Sequence, residues 1–193
     1  LWVGTDDGNI QLSRNGGQDW TQLKRPSGID EFSPVSHIEP SSTEAGVAYI
    51  SFDRHMFDDN APHIFRTENF GRSWQRITDG LPDFAWVWVV REDLRNPDVL
   101  YAGTEFGLFV SHDRGGNWQE LDMKNLPTVA VHDIVQHPRR NDLILGTHGR
   151  AIWILDDATP IQQWQAELNE TDAHLFPIRE SFRYARSFTR YGE

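Results

Sequence analysis

Ser111-His-Asp113-Arg-Gly115-Gly-Asn-Trp118 decides the reading of this chain, because the same eight-residue pattern occurs three times. The other copies are Ser13-Arg-Asn15-Gly-Gly17-Gln-Asp-Trp20 and Thr67-Glu-Asn69-Phe-Gly71-Arg-Ser-Trp74. Each runs hydroxyl, any residue, Asp or Asn, any residue, Gly, two more, Trp. Three such matches in 193 residues mark an internal repeat. The chemistry is that of a tight turn between strands. A short Asp or Asn side chain accepts hydrogen bonds from backbone N–H groups just ahead, and the hydroxyl does so more weakly. Gly takes backbone angles that other residues resist. The Trp opens the next strand, burying a large ring whose indole N–H needs an acceptor. No group in the pattern performs a reaction, so these residues are assigned to the fold.

A second marker precedes the corners: Trp2-Val-Gly4-Thr5, Tyr49-Ile-Ser51-Phe52, Tyr101-Ala-Gly103-Thr104 and Ile144-Leu-Gly146-Thr147. From Gly4 to Ser51, Gly103 and Gly146 the steps are 47, 52 and 43 residues. A period of about 40 to 50 residues with several short strands is that of propeller blades. The fold expected is therefore all-β, a β-propeller of four-stranded antiparallel blades with these corners as turns. Three to four blades are present, followed by a short C-terminal helical segment. The divisions are a partial blade over 1–34, blades over 35–82 and 83–127, and a blade lacking the corner over 128–157. Residues 158–193 are read as a helix over Pro160–Leu168, a candidate outer strand at Ala173–Phe176 and a linker. The innermost strands, Phe84–Val90 and Val129–Val135, are apolar at nearly every position and are expected to be buried on both faces.

The corner resembles the Asp-box, or bacterial neuraminidase repeat, of sialidases, sortilin-type propellers, xyloglucan-cleaving glycosidases and photosystem assembly factors. The strings Val99–Ser111 and Leu145–Asp157 are most similar to bacterial sortilin-like (VPS10-type) propeller proteins, often labelled glycosyl hydrolases. The resemblance covers roughly residues 1 to 157. It implies a propeller whose Asp-boxes lie away from the active face, and an exported (periplasmic, cell-surface or secreted) bacterial protein. Relatives with sialidase activity need an arginine triad and a Phe-Arg-Ile-Pro type string. Phe65-Arg66-Thr67 and Phe176-Pro-Ile-Arg179 do not match it.

Eighteen basic against twenty-nine acidic residues give a net charge of −11, which argues against a nucleic-acid partner on Coulomb grounds. No apolar run is long enough to span a membrane, and the absence of Cys excludes disulfides. The tail from Pro177 interleaves Arg179, Arg183, Arg186 and Arg190 with Phe182, Tyr184, Phe188 and Tyr191. It is read as a linker or edge strand in preference to a single-strand nucleic-acid site. An arc of four blades leaves two apolar end faces of roughly 320 Å² each, together more than a soluble monomer normally shows. The remaining blades of the propeller, on this protein or another chain, are the expected partners.

With each blade's strands lettered A to D from inner to outer, their alternation puts the A–B turns beside the Asp-boxes, which are the C–D turns, and the B–C turns and D–A connections at the opposite end. That end would display Asp6, Asp7 and Asn9; Asp53, His55, Asp58 and Asp59; Glu105; and His148 and Arg150. The D–A connections add Lys24, Arg25, Asp30, Asp79, Asp83 and Lys124. A ring of carboxylates suits sugar binding, or glycosidic hydrolysis by one acid and one base. The ordinary alternative is that turns are Asp- and Gly-rich for backbone reasons, and for any single acid it is favoured. The candidates retained are Asp6, Asp7, Asp53 and Glu105 as acids, and His55, His148 and Arg150 as binding residues. Asp53, His55, Asp58, Asp59 and His63 could ligate a metal, but their spacing matches no known loop, so neither metal nor cofactor is expected. His132 and His137 are read as core-edge and turn histidines.

Three functions are carried forward. The first is a non-catalytic scaffold for a glycan or peptide at the channel face. The second is part of a glycoside hydrolase, and the third a protein-assembly factor. Two partly buried acids facing a groove would favour the enzyme; acids bonded within their own turns would favour the scaffold.

Overall fold

The computed structural model describes residues 1–177, 179 and 180; the tail over 181–193 lies outside the described residues. The chain forms four antiparallel sheets in sequence order. The first holds β1 (Trp2–Gly4), β2 (Ile10–Leu12) and β3 (Thr21–Leu23). The second holds β4 (Val35–Pro40), β5 (Ala48–Phe52), β6 (Ile64–Thr67) and β7 (Gln75–Arg76). The third holds β8 (Val87–Glu92), β9 (Leu100–Thr104), β10 (Gly107–Ser111) and β11 (Gln119–Glu120). The fourth holds β12 (Val131–Gln136), β13 (Leu143–Thr147) and β14 (Ile152–Leu155). In the two complete sheets the spatial order follows the chain order, the meander of a propeller blade. One guanidinium ties the inner strands together. Arg91 on β8 bonds Glu39 of β4 at 2.9 Å, Asp133 of β12 at 3.0 Å and the Ile134 carbonyl at 2.7 Å.

The repeated corner is built alike three times. In the third copy the Ser111 hydroxyl donates to Asp113 (2.7 Å) and accepts from the Gly115 N–H (2.8 Å), while Asp113 accepts from the Asn117 N–H (2.8 Å). The same bonds join Ser13, Asn15, Gly17 and Asp19, and again Thr67, Asn69, Gly71 and Ser73. Each corner therefore satisfies the N–H groups its own reversal would orphan.

Glycine in the corner answers to the neighbouring blade as well as to the turn. Gly71 and Gly115 have φ of +78° and +87°, angles that penalise a side chain. A Cβ on Gly115 would lie 2.5 Å from Ile77 of the preceding blade, and one on Gly71 would strike Leu23. The tryptophans lock the same seam. Trp74 donates its indole N–H to the Lys24 carbonyl at 3.0 Å, and Trp118 donates to the Ile77 carbonyl at 2.9 Å. The second recurring marker has a matching cause. A Cβ on Gly103 would sit 2.5 Å from the Val131 carbonyl, and one on Gly4 would strike Val35. The second strands of the first and third blades thus receive the next blade's inner strand at a point without a side chain, while the second blade has Ser51 there, bonded to Ser36.

The fourth blade has no corner and closes its seam differently. Helix α1 (Thr159–Gln162) brings Ile161 against the apolar cluster shared by the third and fourth blades. Trp164 packs on His112, with ring centroids 4.7 Å apart. Gln162 reaches the buried Asp93, which also accepts from the Tyr101 hydroxyl at 2.8 Å. The expected helix over Pro160–Leu168 is shorter: α1 ends at Gln162, and a 3₁₀ turn follows at Ala166–Glu170. Ala173–Phe176 is not a strand, so the expected outer strand of that blade is absent among the described residues.

The inner strands also depart from expectation. Phe84 is 60% exposed and lies before β8, and Trp86 and Trp88 are half-buried between fully buried neighbours. A register shift between Val87 and Val89 leaves Trp88 half-buried while Val89 and Val90 are both buried. On the outward face of the fourth blade, Val135, Ile152 and Ile154 are exposed, the last two at 70% and 61%. At the other end Leu1, Val3 and Trp20 are exposed.

Candidate ligand-binding face at the channel mouth

The two ends of the propeller are separated by backbone hydrogen bonds. The Phe70 and Arg114 N–H groups donate to the Gly46 and Asp98 carbonyls, both at 2.9 Å, which joins the corners to the A–B turns. At the other end Glu105 N–H donates to Trp86 (3.2 Å) and Asp53 N–H to Pro34 (2.9 Å), placing the B–C turns beside the starts of the inner strands.

At that second end each inner strand skips one residue at the same station. The ladder breaks between Val35 and His37, between Val87 and Val89, and between Val131 and Asp133. The skipped residues are Ser36, Trp88 and His132. A bulge re-aims a side chain out of the alternating pattern, and here it turns these residues toward the mouth. Ser36 closes a seam, donating to the Val87 carbonyl at 2.9 Å and bonding the Ser51 hydroxyl at 2.8 Å.

Trp88 and His132 meet across the third and fourth blades, ring to ring at 4.2 Å. His132 stands 4.9 Å from His148. On the other side His55 lies nearly parallel to Trp86 (5.0 Å, 16°) and edge-on to Trp88 at 5.7 Å. Phe106 continues the row to Trp86 at 5.9 Å and to Phe84 at 5.3 Å. Seven rings from three blades therefore form one surface.

Polar groups fix its orientation. Glu105 accepts from the Trp88 indole at 3.0 Å. Asp53 accepts from both the His55 backbone N–H (3.1 Å) and its Nδ1 (2.6 Å), which holds the imidazole against Trp86. The Trp86 indole N–H is buried with no partner among the described residues. Partial desolvation among the rings and the neighbouring His148 push the His132 imidazole below its ordinary pKa, while Glu105 works the other way.

Of the residues named from the sequence, Glu105, His55 and His148 touch this row, and Asp53 reaches it through His55. Asp7 is held in its own hairpin, accepting from the Thr5 hydroxyl and from Asn9 at 2.8 Å. The Thr5 bond holds its carboxyl below the usual range. Asp6 and Arg150 are exposed, and Arg150 offers its carbonyl to the Trp153 indole at 2.8 Å. Asp58 caps a 3₁₀ turn in a left-handed conformation. Asp59 binds Arg54 (2.8 Å) and His63 (2.9 Å). Burial opposes its ionisation, but those two bonds outweigh burial and hold its carboxyl low. The acids and histidines of this loop form two separate pairs, and among the described residues no group of three is placed to hold a metal.

Lys24 and Asp79 belong elsewhere: their carbonyls accept from Trp74 Nε1 and Trp118 N–H, so they lie along the outer seams rather than at the mouth. His132 is exposed on the ring row and is no core-edge residue. Trp86, Trp88, Phe106 and His132 went unnamed as site residues. The signal was present in Phe84-Ala-Trp86-Val-Trp88, a run dense in aromatic side chains.

The BNR-Asp box repeat family matches residues 108–121. No curated protein sequence matches the chain. Among solved structures, YCF48 bound to D1 peptide is similar at a TM-score of 0.59 and 16% identity, over 80% of this chain and 47% of that one. The GH74 xyloglucanase from Xanthomonas campestris is similar at 0.64 and 17%, over 81% of this chain and 27% of that one. The extracellular domain of BT4673 from B. thetaiotaomicron is similar at 0.56 and 15%, over 84% and 22%. The chain thus spans about half of YCF48 and about a quarter of the xyloglucanase. At these identities the likeness is one of fold. With its three repeated corners and four antiparallel sheets, the chain has the fold of part of a β-propeller and carries Asp-box repeats at its corners.

Proposed function

We propose that the chain is a propeller scaffold that binds a glycan at the channel mouth, with the Asp-boxes purely structural. The observation that carries this reading is the row Phe84–Phe106–Trp86–His55–Trp88–His132–His148, presented on an open face and fixed from behind by Asp53 and Glu105. Rings held in place offer large apolar area at little entropic cost, and sugars present a matching apolar face of C–H groups. The His55 and His148 rings supply the few polar groups such a site uses. Titration with a neutral xyloglucan oligosaccharide, followed by tryptophan fluorescence, tests it. Trp88→Ala is expected to weaken binding at least tenfold; saturable binding that is indifferent to Trp88→Ala sinks the proposal.

A second reading, part of a glycoside hydrolase, draws on the fold shared with GH74 enzymes and on Glu105 at the ring row. Hydrolysis needs a second acid across the bond, and Asp7 and Asp53 are bonded within their own turns. Glu105→Gln separates the two readings, abolishing turnover in an enzyme and sparing binding in a scaffold. The third reading, a protein-assembly factor, rests on the peptide bound by YCF48.

The end faces fit further propeller blades as partners. Among the described residues Gly146 has none packed on it as Val131 packs on Gly103; its nearest neighbour is Asp133 of its own sheet, 3.6 Å from a Cβ placed there. No helix of the described residues is long and apolar enough to cross a membrane. Export and the sortilin-like relationship rest on the strings Val99–Ser111 and Leu145–Asp157.

A further inference from the structure

The outer seam between the first and second blades opens into a groove that the channel-mouth reading does not use. One wall is the connection after β3, Lys24–Ile29; the other is the second corner, Arg72–Trp74. Together they bound a concavity of about 800 Å³. Through Leu23 and Arg72 it joins a second of about 310 Å³ between the first two corners, lined by Arg14, Asp19 and Phe70.

The groove is basic in a chain of net charge −11. Four cations line it, Arg14, Lys24, Arg25 and Arg72, against one carboxylate, Asp19, which is engaged by Asn15 Nδ2 at 2.8 Å. Arg14 lies 4.0 Å over the Phe70 ring, and Arg25 pairs with the exposed Glu31 at 3.3 Å. Lys24 and Arg72 have no carboxylate partner among the described residues. The floor is apolar. Trp74, its indole N–H committed to the Lys24 carbonyl at 3.0 Å, is fixed between the cations, with Leu23 beside it.

We propose that this groove binds an acidic oligosaccharide, a glycan carrying uronate or sulfate groups. Guanidinium forks and an ammonium suit those oxyanions, and a fixed indole suits the apolar face of the sugar between them. The low charge density of such a glycan, one anion per sugar ring or fewer, matches a short row of cations. Duplex nucleic acid, with one charge per ≈1.7 Å, does not, and an acidic chain repels it over a longer range. An acidic peptide offers the charges without the flat face for Trp74.

The full chain is titrated with tetragalacturonate, a chondroitin sulfate tetrasaccharide and polyglutamate at low and raised salt. Binding of either glycan is expected, several-fold weaker at the higher salt because the cations are exposed. Lys24→Glu with Arg72→Glu should weaken it at least tenfold, and Arg72→Gln alone about threefold, while the neutral oligosaccharide at the channel mouth binds as before. Both side chains are exposed, so an unchanged melting temperature checks the fold. Absence of saturable binding by both glycans, indifference to the charge reversals, or tighter binding of polyglutamate overturns the proposal. Because the two sites share no residue, failure here leaves the channel-mouth reading standing, and the reverse.

Discussion

The Trp118 indole donates to the Ile77 carbonyl at 2.9 Å across a blade boundary, and the ring is 2% exposed. Its counterpart in the first corner, Trp20, is 42% exposed and donates only to Gly17 of its own turn. The same sequence position therefore carries unequal weight. Trp118→Ala should cost about 3–5 kcal/mol, the range for a buried aromatic, and Trp20→Ala about 1 kcal/mol or less. Urea unfolding of both variants measures the difference; equal losses would contradict the seam's role.

The corner glycines give a second contrast. Gly115→Ala meets both a left-handed backbone (φ +87°) and Ile77, 2.5 Å from the added Cβ. Gly17→Ala meets the backbone strain (φ +92°), with its nearest neighbour at 3.6 Å. The expected losses are about 1 kcal/mol for Gly17→Ala and at least twice that for Gly115→Ala. Combining Gly115→Ala with Ile77→Ala should recover part of the difference, as a double-mutant cycle reads directly.

His37, on β4, carries a pH dependence. Burial, and secondarily Arg91, push its imidazole down to about 4, while Asp133 and the Val90 backbone work the other way. The unfolded chain takes up this proton near 6.5 and the folded chain near 4. Stability is therefore complete above pH 6.5 and falls between 6.5 and 4, by roughly 2–4 kcal/mol in all. Asp59 and Asp7 add losses only at lower pH, as their depressed carboxyls protonate. Melting temperatures at pH 7.5 and 5 should differ less for His37→Leu than for the native chain. An undiminished difference would remove His37 from the account.

Exposed apolar rows on both end faces predict association. The chain alone should sediment above the monomer mass at micromolar concentration, and Ile152→Lys with Ile154→Glu should shift it toward monomer. A native chain that stays monomeric would mean these faces tolerate water as they stand.

Much of the fold was legible because the corner satisfies itself locally: hydroxyl, acid, glycine and tryptophan bond within or beside eight residues, so their spacing states their geometry. Gly103 and Gly4 were visible as a recurring marker, although their cause, the next blade's inner strand at Val131 and Val35, lies outside any local window. The site was less legible. Asp53 and Glu105 are read at once as acids on turns, but what they serve is a set of rings gathered from three blades. Trp88 and His132 reach the mouth through bulges, which interrupt the alternation that strand reading depends on. The C-terminal helix ends at Gln162, whose side chain is held by a long-range contact with Asp93 that propensity does not encode.

Trp88 and His132 each stand outside the ladder that holds their strands, so the backbone pairing makes no demand on their identity. Ser36 stands at the same station but is committed to the seam through Val87 and Ser51. A designer seeking a new ligand for this molecule would begin by refilling the places of Trp88 and His132 and leave the serine alone.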